Sequence, residues 1–469
     1  MKIADYKNER VHMIGIGGSS MSGLAEMLVR QGYHVSGSDN ALSHTVERLR
    51  DHGIGILIGH RPENVRGAGV IVYSAAIAED NPERVEAKRL GIPQMERAEL
   101  MGDLMEGFDE VICVAGTHGK TTVSGMIAQG LTDLGLDPTV QLGGRVDAVG
   151  GNWRIGGDRK FYVAEACEYH SSFLWMHPTA ALITNIQEDH LDYYKDLDDI
   201  QNAFGRFLAL LPAGGMAVGW GDDPRIRALF AVLRQRCVTF GVKEGCDYTA
   251  VNIRYTFNGC PVFDVQGPDG IETTVSLKIV GEHNMLDALG AYALMRALGL
   301  PAEGIAGSLG SFVGARRRFE KTGIIDGVAL YHDYGHNPAE MRTAIHSAVC
   351  QHPNRVWAVM QPHTYSRVKR LYQDYLTCTE EADITLVTDI FAAREKDPGD
   401  IHSSMLVRDM RAHGIDAVLT PSFDDTEKYL REYWQPGDLM ITMGCGNINL
   451  LNEQIQNHGD TVRSDSDPE

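Results

Sequence analysis

The chain has 469 residues with 43 Lys and Arg against 63 Asp and Glu, a net charge of −20, so a nucleic acid is a poor partner for its surface as a whole. Length and an apolar content of 43 % point to two to four domains with real cores. No apolar run is long enough to insert in a membrane, and the start MKIADYKNERVHMIGIGG lacks the pattern of a signal peptide, so a cytoplasmic protein is expected. The eight cysteines are scattered singly at 113, 167, 237, 246, 260, 350, 378 and 445, which indicates neither a zinc site nor a disulfide framework.

In chain order, three segments open with strand, glycine-rich turn and helix. In the first, a strand over Val11 to Ile16 runs into glycines. Met21, Leu24, Ala25, Leu28 and Val29 then follow the spacing of one helical face. Gly32 ends that helix, and HVSGSD is a second strand with Asp39 at its tip, completing a βαβ unit. In the second segment, the strand Val111 to Val114 precedes GTHGKTT. Val123, Met126, Ile127, Leu131 and Leu134 form the next stripe, with Gly135 as its C-cap. KFYVAEA and TAALITNI are further strands. In the third segment, Asn337 caps a helix that begins with Pro338, and RVWAVM, ADITLVTDI and DLMITM repeat the strand order.

This alternation predicts an α/β protein of parallel sheets covered by helices. The expected domains are 1–107, Rossmann-like; 108–315, a central P-loop ATPase-type parallel-sheet domain; and 316–457, a C-terminal Rossmann-like α/β domain. The polar tail 458–469 is expected to be disordered.

Two loops are suited to phosphate. GIGGSS (Gly15 to Ser20) approaches the dinucleotide fingerprint, with Ser20 at the place of its last glycine. Loop physics alone gives a nucleotide diphosphate and leaves the rest open; NAD is the obvious alternative. Asp39 stands where an acid can accept from a ribose hydroxyl. In GTHGKTT, Gly116 and Gly119 let backbone amides face an anion, Lys120 supplies a charge for β/γ-phosphates, and the Thr121 hydroxyl can ligate Mg²⁺. Val114 stands where the general P-loop has its first glycine. For the metal, Glu165, Glu168, Glu188, Asp189 and Asp192 compete as carboxylates, while a histidine such as His190 is not favoured by the oxygen preference of Mg²⁺. Cys445 in the GCGN turn reads as packing.

GIGGSSMSGLA, AGTHGKTT, EACEYHSSFL, TNIQEDHLDYY, GEHNMLDALGAYA, GARRRFE, YHDYGHNPAEM, QPHTYSR and MGCGNIN follow the order seen in Mur ligases, and over nearly the whole chain the sequence resembles that family. The resemblance implies three domains and one reaction. ATP phosphorylates a substrate carboxylate to an acyl phosphate, and the amine of an amino acid displaces phosphate, in peptidoglycan precursor synthesis. It is closest to the type that joins L-alanine to UDP-N-acetylmuramate. The tripeptide-adding type of cell-wall recycling and a non-catalytic nucleotide sensor are the alternatives.

The resemblance also implies site residues. Gly15, Gly17, Gly18 and Ser19 would bind the UDP diphosphate, with Asp39 near the uridine. Gly116, Thr117, His118, Gly119, Lys120, Thr121 and Thr122 would form the ATP loop, with His283 and Asn284 near the adenine, Arg318 on the phosphates and Asp333 at the ribose. Thr121, Glu165 and His190 would hold Mg²⁺. Tyr334, His336, His363 and Arg367 would hold the amino acid and the reacting carboxylate. Lys120, His190, Arg318 and His336 would be catalytic. Asp287 and Thr364 stand where the family usually has asparagine and, in many members, arginine. The implied partners are small molecules, and the implied assembly is a monomer or homodimer.

Overall fold

The computed structural model describes residues 1–74, 76–190 and 193–459. Asp192, one of the competing carboxylates, and the tail residues 460–469, expected to be disordered, lie outside the described residues. By backbone proximity the chain forms two compact units: Met1–Ile253 with Phe263–Leu277 and His283–Phe312, and Arg254–Val262 with Lys278–Glu282 and Val313–Glu469.

The first sheet comprises β1 (Arg10–Ile14), β2 (His34–Asp39), β3 (Gly55–Ile58), β4 (Val70–Tyr73) and β5 (Gln94–Glu96), in the order β3-β2-β1-β4-β5. All its pairings are parallel. The chain builds outward from β1 on one side, then crosses to the other. The order therefore reverses beside β1, where ligands of doubly wound sheets dock at the carboxyl edge. The helices α1 (Ser19–Arg30), α2 (His44–Asp51), α3 (Pro82–Leu90) and α4 (Arg97–Met105) connect the strands. Of the stripe expected on α1, Met21, Leu24, Ala25 and Leu28 are buried and Val29 is half-buried, while Ser22, Gly23 and Met27 widen the covered face.

The second sheet has ten strands: β6 (Glu110–Ala115), β7 (Thr139–Val146), β8 (Gly151–Arg154), β9 (Phe161–Glu165), β10 (Ala180–Ile183), β11 (Met216–Trp220), β12 (Arg236–Gly241), β13 (Tyr248–Tyr255), β14 (Pro261–Gly267) and β15 (Gly270–Ser276). Its order is β15-β14-β13-β12-β11-β10-β6-β9-β7-β8. Strand β6 pairs in parallel with both β10 and β9. The loop that leaves β6 thus has the ends of β9 and β10 on either side. The sheet is not parallel throughout, as the alternation suggested: β7 and β8 pair antiparallel.

The helix after that loop, α5 (Lys120–Asp133), departs from the expected stripe. Every residue from Thr121 to Leu131 is buried. The reason is a second cover, the helix Ala302–Ser311. The Gln129 amide donates to Ser311 Oγ at 2.6 Å, and Ser308 Oγ donates to Asp133 at 2.6 Å. Two glycines in α5 accept close neighbours. A Cβ at Gly130 would lie 2.5 Å from Met295 Sδ, and one at Gly125 would lie 3.0 Å from Val146. Helix propensity is given up here for close packing. Gly135, with φ of +77°, ends the helix as expected.

The third sheet has the order β16-β17-β21-β18-β19-β20, with β16 (Glu320–Ile325), β17 (Val328–Asp333), β18 (Val356–Met360), β19 (Ile384–Val387), β20 (Ala417–Leu419) and β21 (Leu439–Met443). It is parallel except for the edge strand β16. Asn337 and Glu340 form a full capping box on the helix Pro338–Val349. The last helix, Asn449–Gly459, runs two residues past the expected end of the third domain.

Candidate active site

The first loop turns sharply at Gly15, whose φ is +74°. Gly15 and Ile16 donate their N–H groups to Ser38 O at 2.8 and 3.0 Å. Gly17 N–H donates to Asp39 Oδ2 at 2.9 Å. The carboxylate at the tip of β2 thus shapes the loop. A Cβ at Gly17 would meet that oxygen at 2.9 Å and Val46 at 2.8 Å, so a side chain there would push the Asp39 carboxylate off the loop. Gly18 precedes α1 without a side-chain cap, which leaves first-turn amides for an anion.

The second loop is braced from β10. Thr117 N–H donates to Asn185 O at 3.1 Å, and His118 N–H to Asn185 Oδ1 at 3.0 Å. Thr117 Oγ1 accepts from Gln187 N at 2.9 Å. Gly116, with φ of +139°, leaves no room for a side chain, since a Cβ would sit 1.9 Å from Thr184 Oγ1. Sequence reasoning missed Thr184 and Asn185; their signal is the Thr-Asn pair directly after β10.

Lys120 Nζ donates to Gly116 O at 2.5 Å, Thr117 O at 3.0 Å and Glu168 Oε1 at 3.1 Å. Burial would lower its pKa, but the carboxylates of Glu168 and Glu165 outweigh that and raise it, so it stays cationic. Glu168, one of several competing carboxylates in the sequence, is the counter-ion of Lys120. The Thr121 hydroxyl donates to Glu165 Oε2 at 2.7 Å, and that oxygen also accepts from Gly143 N at 2.7 Å. His190 lies elsewhere in this group. Its Nε2 is 4.0 Å from Glu168 Oε1 and 3.9 Å from Asp189 Oδ2, and its ring centroid is 4.5 Å from that of Tyr169. The structure thus joins Thr121 to Glu165 directly and pairs His190 with Glu168. His283 and Asn284 stand on the first turn of the helix Glu282–Ala297. One turn on, Asp287 points at the second loop: a Cβ on Gly119 would lie 2.4 Å from Asp287 Oδ1.

Hard oxygen donors suit Mg²⁺, which keeps several waters and phosphate oxygens in its shell. Thr121 and Glu165 fit that requirement. Among the described residues no cluster of three or more His, Cys, Asp or Glu side chains is arranged to hold a metal ion, so a closed all-protein cage is not what these residues offer.

In the second unit, Asp333 accepts from Phe319 N at 2.7 Å and Gly335 N at 2.6 Å. Burial raises its pKa against the pull of Arg318 and these amides. The guanidinium carbons of Arg317 and Arg318 lie 4.8 and 5.3 Å from the Tyr334 ring centroid. His336 and His363 have ring centroids 5.9 Å apart, and Arg367 Nη1 lies 3.0 Å from His363 Nδ1. Thr364 donates its hydroxyl to Glu395 at 2.7 Å. Cys445 is partly buried, and burial pushes its thiol up to about 11, in keeping with a packing role.

Two histidines here are held neutral. Burial, with Arg367 and His336 adding to it, lowers His363 to about 4. Burial and Arg317 lower His332 to about 3, where its Nε2 faces Arg317 Nε at 3.1 Å. Both are depressed from an ordinary value of 6.5, so the unfolded chain takes up protons that the folded chain refuses. Their stabilisation is complete above that value and is lost as pH falls from there towards 3. His332→Gln is therefore expected to flatten the fall in stability between pH 6 and 4 by up to about 1.4 kcal/mol per pH unit. Denaturant melts across that range check this, and a slope equal to wild type rejects it.

Models of known families match in order along the chain. The Mur ligase family catalytic domain covers residues 10–109, the Mur ligase middle domain 114–295, and the Mur ligase glutamate ligase domain 317–446. The UDP-N-acetylmuramate–L-alanine ligase of Acetivibrio thermocellus is 43 % identical over 450 residues, 96 % of each chain. The crystal structure of UDP-N-acetylmuramate-alanine ligase MurC from Thermotoga maritima superposes with a TM-score of 0.82 at 26 % identity, covering 97 % of this chain and 100 % of that one. MurF ligase of the same organism, solved in complex with ADP, shares the fold with a TM-score of 0.63 at 16 % identity, covering 91 % and 95 %. With its three domain models matched in sequence order and its full-length relative at that identity, this chain belongs to the Mur ligase family.

Proposed function

We propose that the chain is an ATP-dependent ligase that joins L-alanine to UDP-N-acetylmuramate. The observation that carries this reading is 43 % identity over 96 % of both chains to a ligase of that name. It is supported by two phosphate loops in which a side chain at Gly17 or Gly116 would displace its neighbours. A tripeptide-adding ligase would use the same loops and differ in the amine it accepts. The near-complete match to an alanine ligase favours L-alanine.

In this reading the first loop holds the UDP diphosphate and the second holds the triphosphate of ATP. The substrate carboxylate attacks the γ-phosphorus, ADP leaves, and an acyl phosphate forms. The amine nitrogen of alanine attacks the acyl carbon, and the tetrahedral intermediate passes the nitrogen's proton to the departing group, which leaves as hydrogen phosphate and so frees the amide. A carboxylate alone is a poor electrophile; the phosphoryl group makes its oxygen a leaving group. Lys120 follows charge on the transferring phosphoryl group, exchanging Glu168 for phosphate oxygens. Thr121, Glu165 and His190 would hold Mg²⁺, which when bound offsets charge on the β- and γ-phosphates. His190, beside Glu168 and Asp189, would complete that wall of the site.

His283 and Asn284 would face the adenine, Arg318 the phosphates and Asp333 the ribose. Tyr334, His336, His363 and Arg367 would take the amino acid. His363, neutral at pH 7, can accept a hydrogen bond from an ammonium group. The proposal includes domain boundaries near 107 and 315, a cytoplasmic location, and a monomer or homodimer. Among the described residues no helix is long and apolar enough to cross a membrane.

Incubation with UDP-N-acetylmuramate, Mg²⁺, ATP and a panel of amino acids and tripeptides, followed by product mass, tests the reading. The alanine adduct is expected as the main product. A dominant tripeptide adduct, or no adduct, rejects it.

A further inference from the structure

Arg97 is the first residue of α4, directly after β5 at the carboxyl edge of the first sheet. Its Nη1 donates to Ser20 Oγ at 3.1 Å. Among the described residues it forms no ion pair; Glu96 and Cys167 act on it only through space, and burial lowers its pKa more than they raise it. Arg97 is half-buried, and a partly desolvated guanidinium without a counter-anion costs stability unless something else supplies the charge.

Its side-chain partner Ser20 is itself fixed. Gln141 on β7 donates Nε2 to Ser20 Oγ at 3.3 Å, and Gln141 Oε1 accepts from the buried Tyr162 hydroxyl at 3.2 Å. The Ser20 oxygen thus accepts twice, which leaves its own proton to give outward. Ser20 occupies the place of the last fingerprint glycine, at the end of the first loop. Through Ser20 the Arg97 guanidinium is held at the end of the first loop, where an oxyanion of a bound sugar nucleotide would lie.

We propose that Arg97, oriented by Ser20 and Gln141, supplies the counter-charge to an oxyanion of the UDP-linked substrate, either its diphosphate or the carboxylate to be activated. This rests on the reading that the first loop holds a UDP-sugar.

Calorimetric titration of the full chain with UDP-N-acetylmuramate, with UDP-N-acetylglucosamine, which has the diphosphate but not the carboxylate, and with a non-hydrolysable ATP analogue tests it. Arg97→Gln is expected to weaken UDP-N-acetylmuramate at least about tenfold, to keep the affinity for the ATP analogue, and to melt without ligand no lower than wild type. An equal loss for UDP-N-acetylglucosamine assigns the diphosphate; a loss confined to UDP-N-acetylmuramate assigns the carboxylate. Ser20→Ala is expected to raise KM for the sugar nucleotide several-fold more than it lowers kcat.

Wild-type binding of both sugar nucleotides retained by Arg97→Gln overturns the inference alone. A ligand-free melting point that drops in Arg97→Gln, with KM and kcat moving together in Ser20→Ala, marks a structural role and also overturns it. A wild-type chain that binds neither sugar nucleotide overturns the reading beneath it as well.

Discussion

Lys120→Ala is expected to lower ATP-dependent phosphate release by about 10³-fold or more, while binding of UDP-N-acetylmuramate stays near the wild-type value. The two effects separate because the two loops leave different sheets: Gly15 to Ser19 follows β1, and Gly116 to Gly119 follows β6. Lys120 is kept cationic by Glu168 and Glu165 in spite of burial, and its ammonium is already tied to the loop through Gly116 O and Thr117 O. Alanine removes that charge and leaves Glu168, almost wholly buried, facing the triphosphate. The loss is therefore larger than that of one hydrogen bond, because an uncompensated carboxylate now repels the phosphates. Glu168→Gln in the Lys120→Ala background relieves the repulsion and should restore part of the ATP affinity without the rate. Phosphate release and calorimetry on both variants check this; full release by Lys120→Ala rejects the role of the loop.

Much of this arrangement could be read along the chain. Strand, glycine turn and helix recur three times, and Gly15, Gly116 and Gly119 all adopt positive φ. Asn337, Pro338 and Glu340 announce a helix start by chemistry local to four residues. What could not be read depends on partners remote in sequence. The periodicity of α5 assumes one covered face, and the helix Ala302–Ser311 that buries the other arrives about 170 residues later. Glu168 is one of the five carboxylates that compete in the sequence as metal ligands, and its distance to Lys120 is what gives it another role. Asp287 stands in the sequence only as a departure from the residue the resemblance leads one to expect, and the fold sets its carboxylate against Gly119. Arg97 carries no motif at all. Its role rests on a bond to a residue 77 positions away and on the lack of an ion pair among the described residues, neither of which leaves a trace in spacing.

Glu165→Gln tests the wall opposite Lys120. One oxygen of Glu165 holds both the Thr121 hydroxyl and the Gly143 amide at 2.7 Å, so the side chain ties β9 to α5 and to β7. Glutamine keeps the shape and can keep these two acceptor contacts through its carbonyl oxygen, but it lacks the charge a hard cation requires. The fold should therefore survive, with a melting point close to wild type. Activity should fall about 10²- to 10³-fold, and the Mg²⁺ concentration needed for half-maximal rate should rise. A purely structural Glu165 would give the reverse pattern, in which glutamine, meeting the same donors, is nearly neutral in rate and in metal dependence. Glu165→Ala separates the two contributions further. It abandons Thr121 and Gly143 as well as the charge, so it should lower the melting point in addition to the rate. If Glu165→Gln kept wild-type activity at limiting Mg²⁺, the metal would have to be held without this carboxylate, and the pairing of Thr121 with Glu165 would be a brace for the loop alone.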